Sequence, residues 1–329
     1  MTGPAPAGTF TGTMRIFRHY QNIPGDARGA VVAIGNFDGV HLGHRAVIGE
    51  AGAIAHATAR PWGVLTFEPH PRAFFAPGTP PFRLTPFHAK ARLIFGLGVD
   101  TIFVQQFNKA FSSLMAEDFI KTVLVGGIGA RHVVCGYDFV FGKGRGGSAE
   151  MLLGFGKQLG FDFTAVRAQT LATGDGGGTA YSSTGVREAL RTGDPQAAAR
   201  ILGRPFEIEG RVIQGDQRGR TIGFPTANLA LGTYLRPARG VYAVRVRVGE
   251  GKEFAGVANI GKRPTFAGEA DLLEVFLFDF TGDLYGRRLG VQLVEFLRPE
   301  KKFDGIDQLK AQIAADSDQA RQILSKTGP

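Results

Sequence analysis

The chain has 329 residues, 43% of them hydrophobic and 20% charged, a balance that excludes a disordered or fibrous chain and suffices for two packed domains. Its formal charge of +9 comes from 17 Lys+Arg against 12 Asp+Glu up to residue 190 and 21 against 17 beyond it, so the excess is spread rather than gathered into a nucleic-acid-binding arm. No stretch reaches the ~18 uninterrupted apolar residues of a membrane span, and the one cysteine, Cys135, excludes an internal disulfide and a Cys-rich zinc site.

Residues 1–13, MTGPAPAGTFTGT, lack the apolar centre of a secretion signal and read as a flexible extension, so the cytoplasm is the expected compartment. Residues 30–34 (AVVAI) are a buried-strand run; GNFDGVHLGH follows, and Val47, Ile48, Ala51, Ile54 and Ala55 then recur at helical spacing. Further strands read at 63–67, 101–104, 132–135 and 161–166, separated by helices at 88–97, 116–125 and 149–159. Such alternation predicts an α/β domain with a parallel sheet that binds ligands at the carboxyl ends of its strands.

The glycine stretch at 174–178 reads as a loop, and residues 191–204 as a linker helix between turns. Beyond it, short strands at 206–214, 240–248, 254–260, 272–279 and 288–297 predict a small antiparallel β-barrel. A closing amphipathic helix sets Ile306, Leu309, Ile313 and Leu324 on one face. The expected division is an extension at 1–13, a first domain at 14–190, the linker at 191–204 and the barrel domain at 205–329.

Two segments carry chemistry. His41 and His44 stand three apart where a helix begins after a buried strand, which puts both imidazoles on one face beside the N–H groups and positive dipole end of the helix. Gly39 and Gly43 leave room for a phosphate, and with no third ligand nearby a zinc pair is disfavoured; the plain alternative is helix capping by Asp38 with incidental histidines. In the second segment, GDQRGRTIGFPTANL, Gly215, Gly219 and Gly223 can bring backbone N–H groups to a polyphosphate, and Thr226 and Asn228 offer oxygen ligands for Mg2+. The Gly-Lys-Ser/Thr ending of a Walker A loop is absent, and a Gly/Pro-rich hairpin turn is the plain alternative.

GNFDGVHLGH resembles the signature of the HxGH nucleotidyltransferase superfamily, and within it the bacterial bifunctional riboflavin kinase/FAD synthetase family. TFEPHP (66–71), GYDFVFGKGRGG (136–147) and YSSTGVREAL (181–190) are similar to further motifs of that family's first module. The segments GRTIGFPTANL, RGVYAVRV, GVANIGKRPTF, LEVFLFDFTGDLYG and FLRPEKKFDGIDQLKAQI follow its riboflavin kinase module in order.

The resemblance implies a Rossmann-like domain that moves AMP from ATP to FMN, then a six-stranded barrel that moves the γ-phosphate of ATP to riboflavin. It implies ATP contacts at Gly35, Phe37, Gly39, Gly43, Ser182, Ser183, Thr184 and Arg187, transition-state roles for His41 and His44, and flavin contacts at Asn36, Asp138, Phe139, Arg145 and Arg298. In the barrel it implies ATP with Mg2+ at Gly215, Gly219, Gly223, Thr226 and Asn228, and Glu274 as general base. The superfamily's common Arg-Ile after the Ser/Thr run is Gly185-Val186 here, and the common His after the base is Phe276. The expected partners are riboflavin, FMN and ATP, with no nucleic acid and no membrane. Two narrower readings use the same residues: one retained activity, or a flavin-binding barrel without turnover.

Overall fold

The computed structural model describes residues 14–172, 178–214, 223–249, 251–265 and 268–326; the 1–13 extension, residues 174–177 of the glycine stretch, and Gly215 and Gly219 lie outside these. The chain packs as two units, one drawn from Phe87–Tyr181 and the residues up to Thr79, the other from Pro80–Pro86 and the residues from Ser182 on.

The first unit contains β1 (Arg15–Phe17), β2 (Val31–Ile34), α1 (Leu42–Ala57), β3 (Trp62–Glu68), α2 (Pro71–Phe75), α3 (Phe87–Phe95), β4 (Thr101–Gln106), α4 (Lys109–Ser112), α5 (Ala116–Asp118), β5 (His132–Gly136), α6 (Ala149–Leu159) and β6 (Asp162–Val166), followed by the short antiparallel pair β7 (Thr170–Ala172) and β8 (Gly178–Ala180). The first six strands form one parallel sheet in the order β1-β4-β3-β2-β5-β6. Val31–Ile34 are buried on both faces, as a sheet covered by helices on both sides requires, which is why the strand reads as an unbroken apolar run. Cys135 lies within this sheet, and burial pushes its thiol up to about 12.

The structure differs from expectation in two places here. The edge strand β1 is only three residues long and pairs with a strand more than 80 residues away, so no local pattern announces it. The helix expected at 116–125 is one α-turn that continues as a π-helix over Phe119–Ile128. The wider winding sets Gly127 where a Cβ would lie 2.6 Å from the Tyr20 ring, and the carbonyls of Gly126 and Gly127 accept from the Arg28 guanidinium.

One charge is held inside this unit. Lys90 of α3 is fully buried, and its Nζ donates to Glu68 Oε1 at 2.9 Å, to the Asn36 carbonyl at 3.0 Å and to Thr66 Oγ1 at 3.1 Å. All three acceptors lie at or just past the carboxyl ends of β2 and β3, so the ammonium ties α3 to the loop that follows β2.

The second unit contains α7 (Ser183–Arg191), α8 (Pro195–Leu202), β9 (Phe206–Ile213), β10 (Ala227–Ala230), β11 (Gly240–Val248), β12 (Glu253–Thr265), β13 (Gly268–Leu277), β14 (Arg288–Arg298) and α9 (Ile306–Lys326). The strands close an antiparallel barrel in the order β10-β13-β12-β11-β14-β9. Tyr242, Val244, Val246 and Val248 of β11 point into the barrel, whereas Val241 and Ala243 face outward under α9, so both faces are buried there and the alternation is incomplete in the sequence. The sixth strand, β10, is hidden in the sequence by its Gly/Pro-rich approach.

Val186 and Leu190 of α7, with Ala198 and Leu202 of α8, are buried in the barrel-side core. The division therefore falls at 181/182 rather than at 190, and the segment expected to link the domains is part of the second unit. Along α9, Leu324 is buried as expected and Leu309 and Ile313 are half-buried, whereas Ile306 is 55% exposed; Ser317 and Ala320 complete the packed face. Arg298 of β14 fixes this helix: its Nε and Nη2 donate to the Asp316 carboxylate at 2.7–3.1 Å, and Gln312 Nε2 reaches the same group at 2.9 Å.

Two stability outcomes follow. Arg298→Leu leaves the buried Asp316 carboxylate without its cation and is expected to cost about 3 kcal/mol in urea unfolding, where a solvent-exposed pair would cost at most ~1 kcal/mol. Lys90→Met removes the buried cation facing Glu68 and is expected to cost about 3–5 kcal/mol, with the double variant Lys90→Met/Glu68→Leu recovering a large part of that loss.

Candidate functional site

The parallel sheet changes direction between β2 and β5: the chain builds β2-β3-β4 to one side, then returns to place β5 and β6 on the other. Ligands of open α/β sheets bind outside the carboxyl ends at such a switch point. GNFDGVHLGH leaves the carboxyl end of β2, and GYDFVFGKGRGG leaves that of β5, so neighbouring strands deliver the two segments.

The loop between β2 and α1 is strained. Phe37 has φ 48°, Gly39 φ 94° and Val40 φ 44°, and a positive φ is a real outlier for a β-branched valine. Each non-glycine case costs roughly 1–3 kcal/mol and persists only where packing over-determines it. Packing does so here: Phe37, Asp38 and Val40 are buried, and Lys90 together with Thr66 Oγ1 (3.2 Å) holds the Asn36 carbonyl. A Cβ on Gly35 would lie 2.9 Å from the Phe37 ring.

The histidines end this loop. His41 is itself the N-cap of α1, its Nδ1 accepting from His44 N at 3.3 Å, so Asp38 is not the cap. The two imidazoles stack with centroids 3.5 Å apart, and the Phe37 ring meets His44 edge-on at 5.3 Å. Gly43 fits between the His41 ring and the Tyr181 carbonyl, each about 3.2–3.3 Å from where a Cβ would stand. A stacked imidazole pair beside the positive end of a 16-residue helix is suited to an anionic group.

On the β5 side, Asp138 and Arg145 are exposed and Phe139 stacks on Phe141 at 5.7 Å. Gly142 lets this loop close onto Ala116, where a Cβ would lie 2.7 Å from the Ala116 backbone. Beyond β3 and β4 the rings of Phe67, Phe74, Phe75 and Phe111 each meet Phe107 edge to face, with Phe75 67% exposed.

In the second unit, Ser182 caps α7 by accepting from Gly185 N at 3.1 Å, with Ser183 and Thr184 in the first turn. Arg187 donates from Nε to Phe82 O at 3.0 Å and lies over the Phe82 ring. Gly185 faces α8, where a Cβ would lie 3.2 Å from Ile201 Cδ1, a close helix approach that accounts for glycine at this position.

The barrel residues assemble by register. Asn228 of β10 and Asn259 of β12 both stand opposite Glu274 of β13, so three polar side chains share one face across three strands. Leu273 and Val275 point into the barrel core, which sends Glu274 to the outer wall, the side on which α9 packs. Asn228 is buried and Glu274 half-buried; Thr226 is exposed one residue before β10, and Gly223 turns with φ 88°. Phe276 packs edge-on against Phe224 at 5.4 Å.

Arg298, expected at the flavin, has its guanidinium committed to Asp316 and to Pro299 O and serves as the α9 anchor. Lys90, Glu68 and Asn259 were not singled out in the sequence; Asn259 could have been found from the GVANIG strand once the register was known, whereas Lys90 reads as one more polar position on a helix. Among the described residues no group of three His, Cys, Asp or Glu side chains could hold a metal ion.

Comparison with known proteins finds two family models in sequence along the chain. The family described as FAD synthetase matches residues 23–180, and riboflavin kinase matches residues 202–324. Among relatives named bifunctional riboflavin kinase/FMN adenylyltransferase, that of Escherichia coli K12 is 43% identical over 96% of this chain and 100% of its own length. That of Haemophilus influenzae is 41% identical over 95% and 100%, and that of Bacillus subtilis 39% over 95% and 98%. A solved structure of a macrolide-efflux protein from Streptococcus pneumoniae is 31% identical, with a TM-score of 0.81 over 94% of this chain and 99% of its own. Among the described residues, no helix here is long and apolar enough to cross a membrane. With both modules matched in order and relatives aligned over nearly their whole length, the chain belongs to the bifunctional riboflavin kinase/FMN adenylyltransferase family.

Proposed function

We infer that the second unit phosphorylates riboflavin to FMN with ATP, and that the first unit transfers AMP from ATP to FMN, giving FAD and pyrophosphate. The observation that supports this reading is that each unit gathers the residues of one motif: the stacked His41 and His44 at the switch point of the sheet, and a polar row across three barrel strands. HLGH follows the switch-point strand, and the Asn228–Glu274–Asn259 row crosses the barrel's outer wall.

In the adenylyl step, an FMN phosphate oxygen attacks the α-phosphorus of ATP while the bond to pyrophosphate breaks. His41, His44 and the amino end of α1 stabilise the negative charge that builds on the α-phosphate, and Gly35, Phe37, Gly39 and Gly43 shape the approach. Asn36, Asp138, Phe139 and Arg145 contact the flavin.

In the kinase step, Glu274 takes the proton of the riboflavin 5′-hydroxyl as its oxygen attacks the γ-phosphorus, and ADP leaves. Gly215, Gly219 and Gly223 belong to the segment that receives the triphosphate.

Thr226 and Asn228 suit Mg2+ that arrives with ATP, since that ion takes few protein ligands and completes its shell with phosphate oxygens and water. It would draw charge from the phosphates of the reacting nucleotide. The cytoplasm is the compartment we assign.

Purified chain given riboflavin, ATP and Mg2+, with products resolved by chromatography, tests the division of labour. Glu274→Ala is expected to lower FMN formation by about 10^2–10^4-fold while supplied FMN is still converted to FAD. His44→Ala is expected to lower FAD formation by about 10^2–10^3-fold and leave FMN formation intact. Equal loss of both steps in either variant would refute the assignment.

A further inference from the structure

At the opposite end of the parallel sheet from HLGH lies a cavity of about 430 Å3, lined by Arg28, Arg60 and Arg131 among others. These residues stand just before β2, β3 and β5, so the cavity sits at the amino ends of the strands. Its rim is made by turns at the ends of α1, the π-helix and α6, the last two closed by Gly129 and Gly160 in the left-handed region. No motif of the two reactions reaches it.

We propose that this cavity binds an oligophosphate anion, either inorganic or the phosphate tail of a nucleotide. A guanidinium has five N–H donors, and little of that capacity is used by the protein. Arg28 donates to the carbonyls of Gly126 and Gly127, Arg60 reaches Gly29 O at 3.5 Å, and Arg131 reaches Gly160 O at 3.4 Å. Among the described residues none of the three is paired with a carboxylate.

Capping of helix ends accounts for one or two donors per arginine, but not for three cations around one volume of small-molecule size. The helix carboxyl ends oppose an anion with roughly half a charge each. Three full positive charges outweigh three such halves, leaving about +1.5, so the cavity still attracts an anion, and its volume of about 430 Å3 has room for more than one phosphate group. Arginine's planar fork also matches phosphate geometry better than a point charge does.

The test is a titration of the 15N-labelled full chain with sodium pyrophosphate at constant ionic strength, without Mg2+ or flavin. The backbone amides of Gly29, Gly129 and Gly160 report this cavity separately from the nucleotide sites. The expected result is a saturable shift at these three amides, weakened at least tenfold in Arg60→Ala/Arg131→Ala. Both side chains are exposed and hold one long hydrogen bond each, so the variant should keep its thermal midpoint and both enzymatic activities. A parallel titration with ADP separates the sources: tighter binding than pyrophosphate assigns a nucleotide, equal or weaker binding an inorganic ion. A shift that does not saturate, that chloride reproduces, or that is unchanged in the double variant means an adventitious ion only and overturns the proposal.

Discussion

An ammonium with no access to water sets the geometry of the first unit. Burying a charge is costly unless several acceptors surround it, and Lys90 has Glu68, Thr66 and the Asn36 carbonyl. Those contacts do more than satisfy the cation. They pin the start of a loop that contains two non-glycine residues in the left-handed region, and that loop delivers His41 to the N-cap of α1. The strain is therefore held by packing some distance from the imidazoles. A flexible segment could reach the same place, but it would lose the ordering entropy each time a nucleotide bound.

The barrel solves its positioning problem differently. Here strand register aligns Asn228, Glu274 and Asn259. The wall they occupy continues under α9, where Val241, Ala243, Val257 and Phe278 are covered by Ala320 and Leu324. The Arg298–Asp316 pair locks that helix down, so a residue that reads as a ligand contact in the sequence acts instead on the cover beside the site.

Much of this was legible beforehand because the signals were local. Buried parallel strands are unbroken apolar runs, barrel strands alternate, and a strand followed by HLGH and a helical pattern identifies both fold and chemistry. What stayed hidden depends on distant partners. β1 is three residues paired with β4; β10 is masked by the Gly and Pro that precede it; Lys90 is an ordinary helix lysine until β2 and β3 are beside it. Nothing in the segment 119–128 announces a π-helix, and α7 reads as the end of the first domain because its apolar partners, Leu84 and the barrel residues, lie before and after it in the chain.

The alternation along β13 makes the kinase wall and the barrel interior inseparable. Leu273, Glu274 and Val275 point in, out and in, so adding or deleting one residue upstream would turn the carboxylate toward the hydrophobic interior and a leucine toward solvent. Length variation in this strand is thus penalised twice, through chemistry and through folding, while the turns between strands stay free to lengthen.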